Sequence, residues 1–363
     1  MDENTYMMWL SSLSASVGAT RLNHLLNVFG TAKEVYGASE EALTEDGGLS
    51  GSGLASFLRS RKSSYIDELK RNCDGLNISF IPRETEEFPT LLRDIPRAPI
   101  GLFCLGKLPP DNSPKVAIIG SRRCSEYGKI ASRLVTKPLS ERGMVIVSGM
   151  ATGIDSMAHK AALQAGGKTV AVLGTGVDIC YPAENRRLRQ EIISNGCLVS
   201  EYPPGTEARR HYFPDRNRIV SGISLGVVVV EAAKKSGTLG TVNHAAEQGR
   251  EVFAVLGNIT SKLSEGTNAL IKDGVHPVQD YTDVLHALGL MPPVGESLNV
   301  EKQCTPLEPH EKLVYDSVGL GPRSYENLLD ATGLNCGRLH FLLTGLEIKG
   351  YLIKLPGGRY VKA

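Results

Sequence analysis

The sequence predicts an α/β protein with a doubly wound, Rossmann-like sheet at its centre and a small, mainly helical domain at either end. Three observations predict it. Short runs rich in β-branched residues recur at 116–119, 145–147, 170–173, 197–199, 227–230 and 252–255, with helix-length segments between most of them. Continuous apolar runs of that length describe strands buried on both faces, and their alternation with helices implies right-handed crossovers in a parallel sheet. Residues 1–70 instead carry helix-compatible apolar spacing at 7–13, 21–29 and 54–69, broken by Gly18, Gly30 and the glycine-rich stretch 47–53. Beyond 305, helical periodicity at 311–318, 324–331 and 336–349 precedes a hairpin pattern at 351–361, the order of a winged helix.

Taken in order, the short helices of 1–75 suit a helix-hairpin-helix or similar bundle. The turn at Val17-Gly18, with Arg21 close by, is of the kind that offers backbone N–H groups to a phosphate. The first 110 residues are nevertheless net acidic, at −3, so the module reads as a packing or partner module rather than a DNA clamp. Residues 80–114 hold Pro82, Pro89, Pro96, Pro99, Pro109, Pro110 and Pro114, each lacking a backbone donor, and read as an irregular connector contributing edge strands. The Rossmann-like domain spans 80–290. Met291-Pro292-Pro293 opens a linker over 291–305, and the winged helix fills 306–363.

The chain has 363 residues, 41% hydrophobic and 22% charged, which excludes collagenous, coiled-coil and disordered classes. No apolar run approaches the ~20 residues of a membrane span, and the N-terminus has no signal-peptide pattern, so a cytoplasmic protein with no membrane partner is expected. Seven cysteines, scattered and without C-x-x-C, give neither a disulfide framework nor a zinc site. No metal and no cofactor is expected, and the P-loop pattern is absent. The net charge of +1 hides its distribution: residues 111–290 carry +4 and residues 291–363 carry none. Within the middle segment Arg186, Arg187, Arg189, Arg209, Arg210, Arg216 and Arg218 face only Glu191, Glu201, Glu207 and Asp215. The planar guanidinium fork suits phosphate.

The loops after the strands matter most, because ligands of such sheets bind at the carboxyl ends of the strands. Gly120-Ser121-Arg122 follows the first run but is not G-x-G-x-x-G, which disfavours a nicotinamide dehydrogenase; Ser121 and Arg122 at a helix start still suit phosphate. Ser148-Gly149 leads through Gly153 to Asp155, read as a helix cap, and to His159, read as structural rather than catalytic. Ser236-Gly237-Thr238 opens another helix and forms an anion cradle. Glu231, ahead of it, is either a general base or nucleophile, or a carboxylate holding a basic neighbour, and the second is favoured. Phe213-Pro214 begins a helix with Arg216, Asn217 and Arg218 in its first turns, where arginine asks for an anion or carboxylate partner. Tyr181, Tyr202, Tyr212 and Phe213 lie among these arginines, the composition of a single-strand surface on which bases stack.

Together, Val116-Ala117-Ile118-Ile119-Gly120-Ser121-Arg122, Ser148-Gly149-Met150-Ala151-Thr152-Gly153-Ile154-Asp155, Tyr181-Pro182 with Asn185, Ser200-Glu201-Tyr202-Pro203-Pro204-Gly205, Phe213-Pro214 with Arg216-Asn217-Arg218, and Ser236-Gly237-Thr238-Leu239 resemble the DNA-processing protein A family, DprA or Smf. The resemblance is strong over 80–290. It implies an extended Rossmann fold, a sterile-alpha-motif-like N-terminal domain, and single-stranded DNA binding without catalysis. It also implies a homodimer that protects incoming strands and loads the RecA recombinase in natural transformation. By matching positions the DNA pocket comprises Ser121, Arg122, Gly149, Asn185, Arg186, Arg210, Arg216, Asn217, Arg218, Ser236, Gly237 and Thr238. The segment with Asn268, Leu270 and Ile271 matches the dimer and RecA surface. Leu256-Gly257 stands in place of Pro-Gly, Gly240-Thr241 in place of Ile-Thr, and Ala183 where some relatives carry Lys. For the winged helix, with Arg338, His340 and Lys349 but no net charge, duplex DNA and a protein partner stay equally open. The rival reading is a nucleotide N-glycosidic hydrolase, similar to phosphoribohydrolases, that uses Glu231.

Overall fold

The computed structural model describes residues 1–291, 307–319, 322–349, 351–355 and 358–362. Contacts divide the chain into two units, Met1–Met291 and Pro292–Ala363.

The first unit opens with seven short helices: α1 (Glu3–Ser11), α2 (Ser14–Val17), α3 (Ala19–Phe29), α4 (Ala32–Gly37), α5 (Glu40–Glu45), α6 (Gly51–Ser60) and α7 (Ser63–Gly75). They close around Trp9, whose ring has no exposure and packs edge-on against Tyr36 and Phe57. The one helix expected over 54–69 is two helices, and the reason is tertiary. The Trp9 indole donates to the Ser60 carbonyl at 3.0 Å, and the Tyr36 hydroxyl donates to the Arg61 carbonyl at 2.7 Å. Side chains from elsewhere thus take the acceptors that would have continued α6.

The chain continues through β1 (Ile78–Pro82), α8 (Thr90–Arg93), β2 (Gly101–Gly106), β3 (Lys115–Ile119), α9 (Glu126–Glu141), β4 (Val145–Ser148), α10 (Ile154–Gln164), β5 (Thr169–Val172), α11 (Arg186–Ser194), β6 (Gly196–Ser200), α12 (Tyr212–Gly222) and β7 (Gly226–Val229). It ends with α13 (Thr238–Glu247), β8 (Glu251–Val255), α14 (Glu265–Lys272), β9 (His276–Val278) and α15 (Tyr281–Ala287). Nine strands form one sheet in the order β1-β2-β6-β5-β4-β3-β7-β8-β9. From β6 to β9 every neighbouring pair is parallel. β2 joins β6 antiparallel and carries β1 antiparallel on its outer side.

Alternate residues along the strands enter different cores. Ala117, Ile119, Val145, Val147, Val227 and Val229 pack with Ile219 of α12, with Ile223 just after it, and with Val242 and Ala245 of α13. Val116, Ile118, Ile146 and Val228 pack with Val135 and Leu139 of α9 and with Ile154, Ala158 and Ala162 of α10. Both faces are covered, which is why these strands read as unbroken apolar runs. The proline-rich connector gives an edge strand in β1, whereas β2 lies inside the sheet between β1 and β6. The three residues of β9 include the exposed Pro277, and they had no strand signature; proline is admitted there because β9 is an edge.

The second unit runs α16 (Pro309–Val318), β10 (Arg323–Ser324), α17 (Tyr325–Thr332), α18 (Cys336–Ile348), β11 (Leu352–Leu355) and β12 (Arg359–Lys362), with strand order β10-β12-β11. This is winged-helix connectivity, with β10 added to the expected hairpin. Gly333 takes a left-handed conformation (φ 65°) to end α17, and Asn335 caps α18 by accepting from the Arg338 N–H at 2.9 Å. Of the expected linker and hairpin turn, residues 292–306 and 356–357 lie outside the described residues.

Candidate functional site

The strand order reverses at β3: the chain moves outward through β4, β5 and β6, then returns to place β7 on the other side of β3. This switch point is where an open α/β sheet leaves a crevice between diverging loops. The loops are locked together at its floor. The Ser121 N–H donates to the Glu231 carbonyl at 2.8 Å, and the Ile154 N–H donates to the Ser121 carbonyl at 3.1 Å. Gly153 (φ 79°) permits that approach, since a Cβ there would lie 2.6 Å from the Arg122 carbonyl oxygen.

Nine of the twelve expected pocket residues line the resulting cleft of about 770 Å³: Ser121, Arg122, Gly149, Arg210, Arg216, Asn217, Ser236, Gly237 and Thr238. Arg123, Lys235 and Asp155 line it too. Arg123 and Lys235 flank the named segments directly, but no spacing rule separates them from their neighbours. Five cations therefore face one carboxylate, and burial raises the Asp155 carboxyl above its usual range although Arg216 opposes the shift. Arg122 and Arg210 are exposed. Arg216 is 4% exposed; its Nη1 donates to the carbonyls of Gly149 (2.8 Å) and Val172. Burial brings its guanidinium down to about 10, so it stays cationic at neutral pH and forms the cleft floor. At the N-terminus of α13, Ser236 Oγ accepts from the Thr238 N–H at 3.2 Å, an anion-receptive turn.

Two aromatics complete the wall. Tyr181 is 47% exposed, its ring centroid is 5.3 Å from that of Phe213, and the Arg122 guanidinium sits 5.7 Å from the Phe213 ring. Tyr202 and Tyr212 are buried against each other instead, with centroids 4.3 Å apart.

Three expected residues lie elsewhere. Asn185 is buried, and its Nδ2 donates to the Met150 carbonyl at 2.8 Å and to Ser156 Oγ at 2.9 Å. Met150 has φ 55°, a strained value for a side chain of its size, so Asn185 fastens the loop after β4 rather than facing the cleft. Because Asn185 turns inward, Arg186 is left exposed on the first turn of α11 and outside the cleft lining. Arg218 is corrected too. Two positions along a helix differ by about 200°, so Arg218 leaves the face of α12 opposite to Arg216. It is 2% exposed, and its Nη2 meets Glu201 Oε2 at 2.5 Å.

The Glu231 carboxylate is 1% exposed and is occupied by Ser125, accepting from its N–H at 2.9 Å and from its hydroxyl at 2.5 Å. It anchors the start of α9, holding a serine rather than the basic neighbour expected, and it is not part of the cleft lining that a hydrolytic Glu231 would require. Asp155 sits one residue inside α10 and accepts from the Ala151 N–H at 3.4 Å, bracing the preceding loop where Gly153 is the cap. On α14, Asn268 is partly buried and clasps Gly257 by two backbone bonds of 3.2 and 3.3 Å, Leu270 packs on the core, and Ile271 is half-exposed. Among the described residues no His, Cys, Asp or Glu cluster has metal-holding geometry, and no helix is long and apolar enough to cross a membrane.

The family model of the DNA recombination-mediator protein A matches residues 79–289. The chain is 47% identical over 198 residues to the DNA processing protein DprA of Streptococcus pneumoniae, covering 54% of this chain and 70% of that relative. It is 31% identical over 387 aligned positions to Protein Smf of Synechocystis, covering 97% of each. The X-ray structure of the Streptococcus pneumoniae protein superposes with a TM-score of 0.67 at 33% identity, covering 78% of this chain and 97% of that one. That of the Helicobacter pylori DNA processing protein A, solved for its single-stranded DNA binding mode, superposes with a TM-score of 0.53 at 29% identity, covering 59% and 96%. With its matched sheet domain and near full-length alignment to a relative, this chain belongs to the DNA recombination-mediator protein A family.

Proposed function

We propose that the cleft at the carboxyl ends of β3, β4 and β7 binds single-stranded DNA. The observation that carries this reading is the union, in one open cleft, of exposed Arg122 and Arg210, the Ser236-Gly237-Thr238 turn and the accessible ring of Tyr181 beside Phe213. Guanidinium groups and loop N–H groups take phosphates while an aromatic face takes a base, and no hydrogen-bonding edge for reading sequence is needed. The strand-binding mode for which the Helicobacter pylori relative was solved supports the same reading.

On this reading the protein acts in the cytoplasm without catalysis, as a homodimer that protects incoming strands and passes them to the RecA recombinase during natural transformation. The dimer and RecA surface is proposed on α14, around Asn268, Leu270 and Ile271. The winged helix is left for duplex DNA or a protein partner. Fluorescence anisotropy with a labelled single strand and its duplex, across salt concentrations, tests the central claim. Tighter single-strand binding, weakened in Arg122→Ala/Arg210→Ala with a shallower salt slope, is expected. Unchanged binding by the folded double variant would remove the cleft from DNA binding.

A further inference from the structure

A second cavity, of about 440 Å³, opens where the helical module meets the sheet domain inside the first unit. Its walls are pinned to each other: Ser14 Oγ donates to the Glu201 carbonyl at 2.7 Å, and the Tyr212 hydroxyl donates to the Ala15 carbonyl at 3.4 Å. The module contributes the turn from α2 into α3, and the sheet domain contributes Arg97, Glu201, Asp215 and Arg218.

Two independent features of this cavity call for an anion. The first is the start of α3, an 11-residue helix entered through Gly18 (φ 83°) with no capping side chain. Among the described residues the N–H groups of Ala19, Thr20 and Arg21 donate to nothing, and all three residues line the cavity. Free donors at the positive end of a helix dipole are an anion seat. The second is Arg218, the largest fully buried side chain after Trp9, which lines the same cavity. Its Nη2 is spent on Glu201, but its Nη1 has no partner. A buried, charged donor left unsatisfied calls for an acceptor that the chain does not supply. The two carboxylates of the cavity are already matched, Glu201 by Arg218 and Asp215 by Arg97 at 3.6 Å, which leaves Arg21 as a cation without a carboxylate.

We propose that this cavity is a second phosphate site, separate from the strand-end cleft, in which a phosphate-bearing ligand takes the N–H groups that open α3 and the free Nη1 of Arg218. Phosphate oxygens suit both donor types, and the volume fits a nucleotide-sized group. The same chemistry is offered by a free phosphorylated small molecule and by one backbone phosphate of a nucleic acid.

The test uses the full-length chain carrying Arg122→Ala and Arg210→Ala, which weakens the cation wall of the strand-end cleft. Backbone amide resonances are followed while inorganic phosphate, a nucleoside monophosphate and a single-stranded oligonucleotide are titrated separately. Saturable shifts of the Ala19, Thr20 and Arg21 amides are expected with at least one of them. Shifts with phosphate and the monophosphate assign the site to free small phosphates, and shifts with the oligonucleotide alone assign it to a backbone phosphate. Arg218→Gln should weaken that binding about tenfold, the loss of one charge-assisted bond. Because that variant leaves Glu201 buried without its cation, Ala19→Pro serves as the second probe: proline fits the first helical position and deletes one donor. Absence of shifts at these amides with all three probes, or binding of equal strength in folded Ala19→Pro, would overturn the proposal.

Discussion

The guanidinium of Arg216 rests directly on Gly149. A Cβ at position 149 would stand 2.6 Å from both terminal nitrogens, and Arg216 Nη1 donates to the Gly149 carbonyl at 2.8 Å. Glycine is therefore required here for close approach. Gly149→Ala must push a buried cation off the carbonyls of residues 149 and 172, or else displace the loop after β4. Overpacking of this kind costs about 1–3 kcal/mol. Urea denaturation should show a loss of that size, and strand affinity should fall with it because the cleft floor moves. A Gly149→Ala chain with unaltered stability and affinity would show that Arg216 yields freely.

Tyr181 and Arg122 make separable contributions. Tyr181→Ala removes a half-exposed ring beside Phe213 and no charge. It should weaken single-strand binding by about 1–3 kcal/mol with the salt slope unchanged, the mark of a lost base stack. Arg122→Ala should lower affinity on every sequence and reduce the slope by about 1, the mark of a lost phosphate contact. Anisotropy titrations at four salt concentrations separate the two, and a slope change in Tyr181→Ala would contradict the stacking role.

What the sequence made legible follows from how locally each feature is encoded. The strands from β3 to β8 were readable because both faces are buried, so hydrophobicity alone marks them. Strand β9, three residues with a proline, gains its identity only from its neighbour β8. Six cleft residues, Ser121, Arg122, Gly149, Ser236, Gly237 and Thr238, were legible because each follows a strand end or opens a helix, positions that the fold brings together whatever the side chains do, whereas Arg216 and Asn217 lie inside α12 and Arg210 before it. Arg218 was misplaced because identity and spacing do not disclose which face of α12 looks inward. Asn185 was misplaced because its partner, the strained Met150 carbonyl, is 35 positions away. The cavity at the α2–α3 turn had only Gly18 and Arg21 to announce it, within a module whose net charge pointed away from anions.

The buried pair of Arg218 and Glu201 holds α12 to the segment after β6. Burial raises the Glu201 carboxyl above its ordinary range more than Arg218 lowers it, so desolvation outweighs attraction in this pair. Removing one partner is then worse than removing both. Arg218→Leu should destabilise by about 3–5 kcal/mol, and Arg218→Leu/Glu201→Leu by less than the sum of the single variants. Chemical denaturation of the four chains of this cycle gives the coupling directly. Additive losses would mean that the two groups do not rely on each other.

His159 supplies a pH dependence with a defined sign. It is fully buried, and its Nδ1 lies 2.7 Å from Thr169 Oγ1, whose own hydrogen is donated to the Ile146 carbonyl at 2.7 Å. The Thr169 oxygen must therefore accept, which fixes the proton on Nδ1 and leaves Nε2 bare, buried and without a partner. A second proton on Nε2 would be an unpaired charge in an apolar site with the Arg216 cation nearby. Burial, assisted by Arg216, accordingly lowers the His159 pKa from 6.5 to about 3. Between these values the unfolded chain binds a proton that the folded chain refuses, so stability falls as pH is lowered through that window, at about 1.4 kcal/mol per pH unit. Asp155 contributes the opposite slope, since its raised carboxyl pKa favours the folded state on the acid side. The informative quantity is therefore the difference between wild type and His159→Gln. Denaturation midpoints from pH 7 to pH 4 should show wild type losing more stability than the variant below about pH 6.5, and parallel curves would mean that His159 titrates alike in both states.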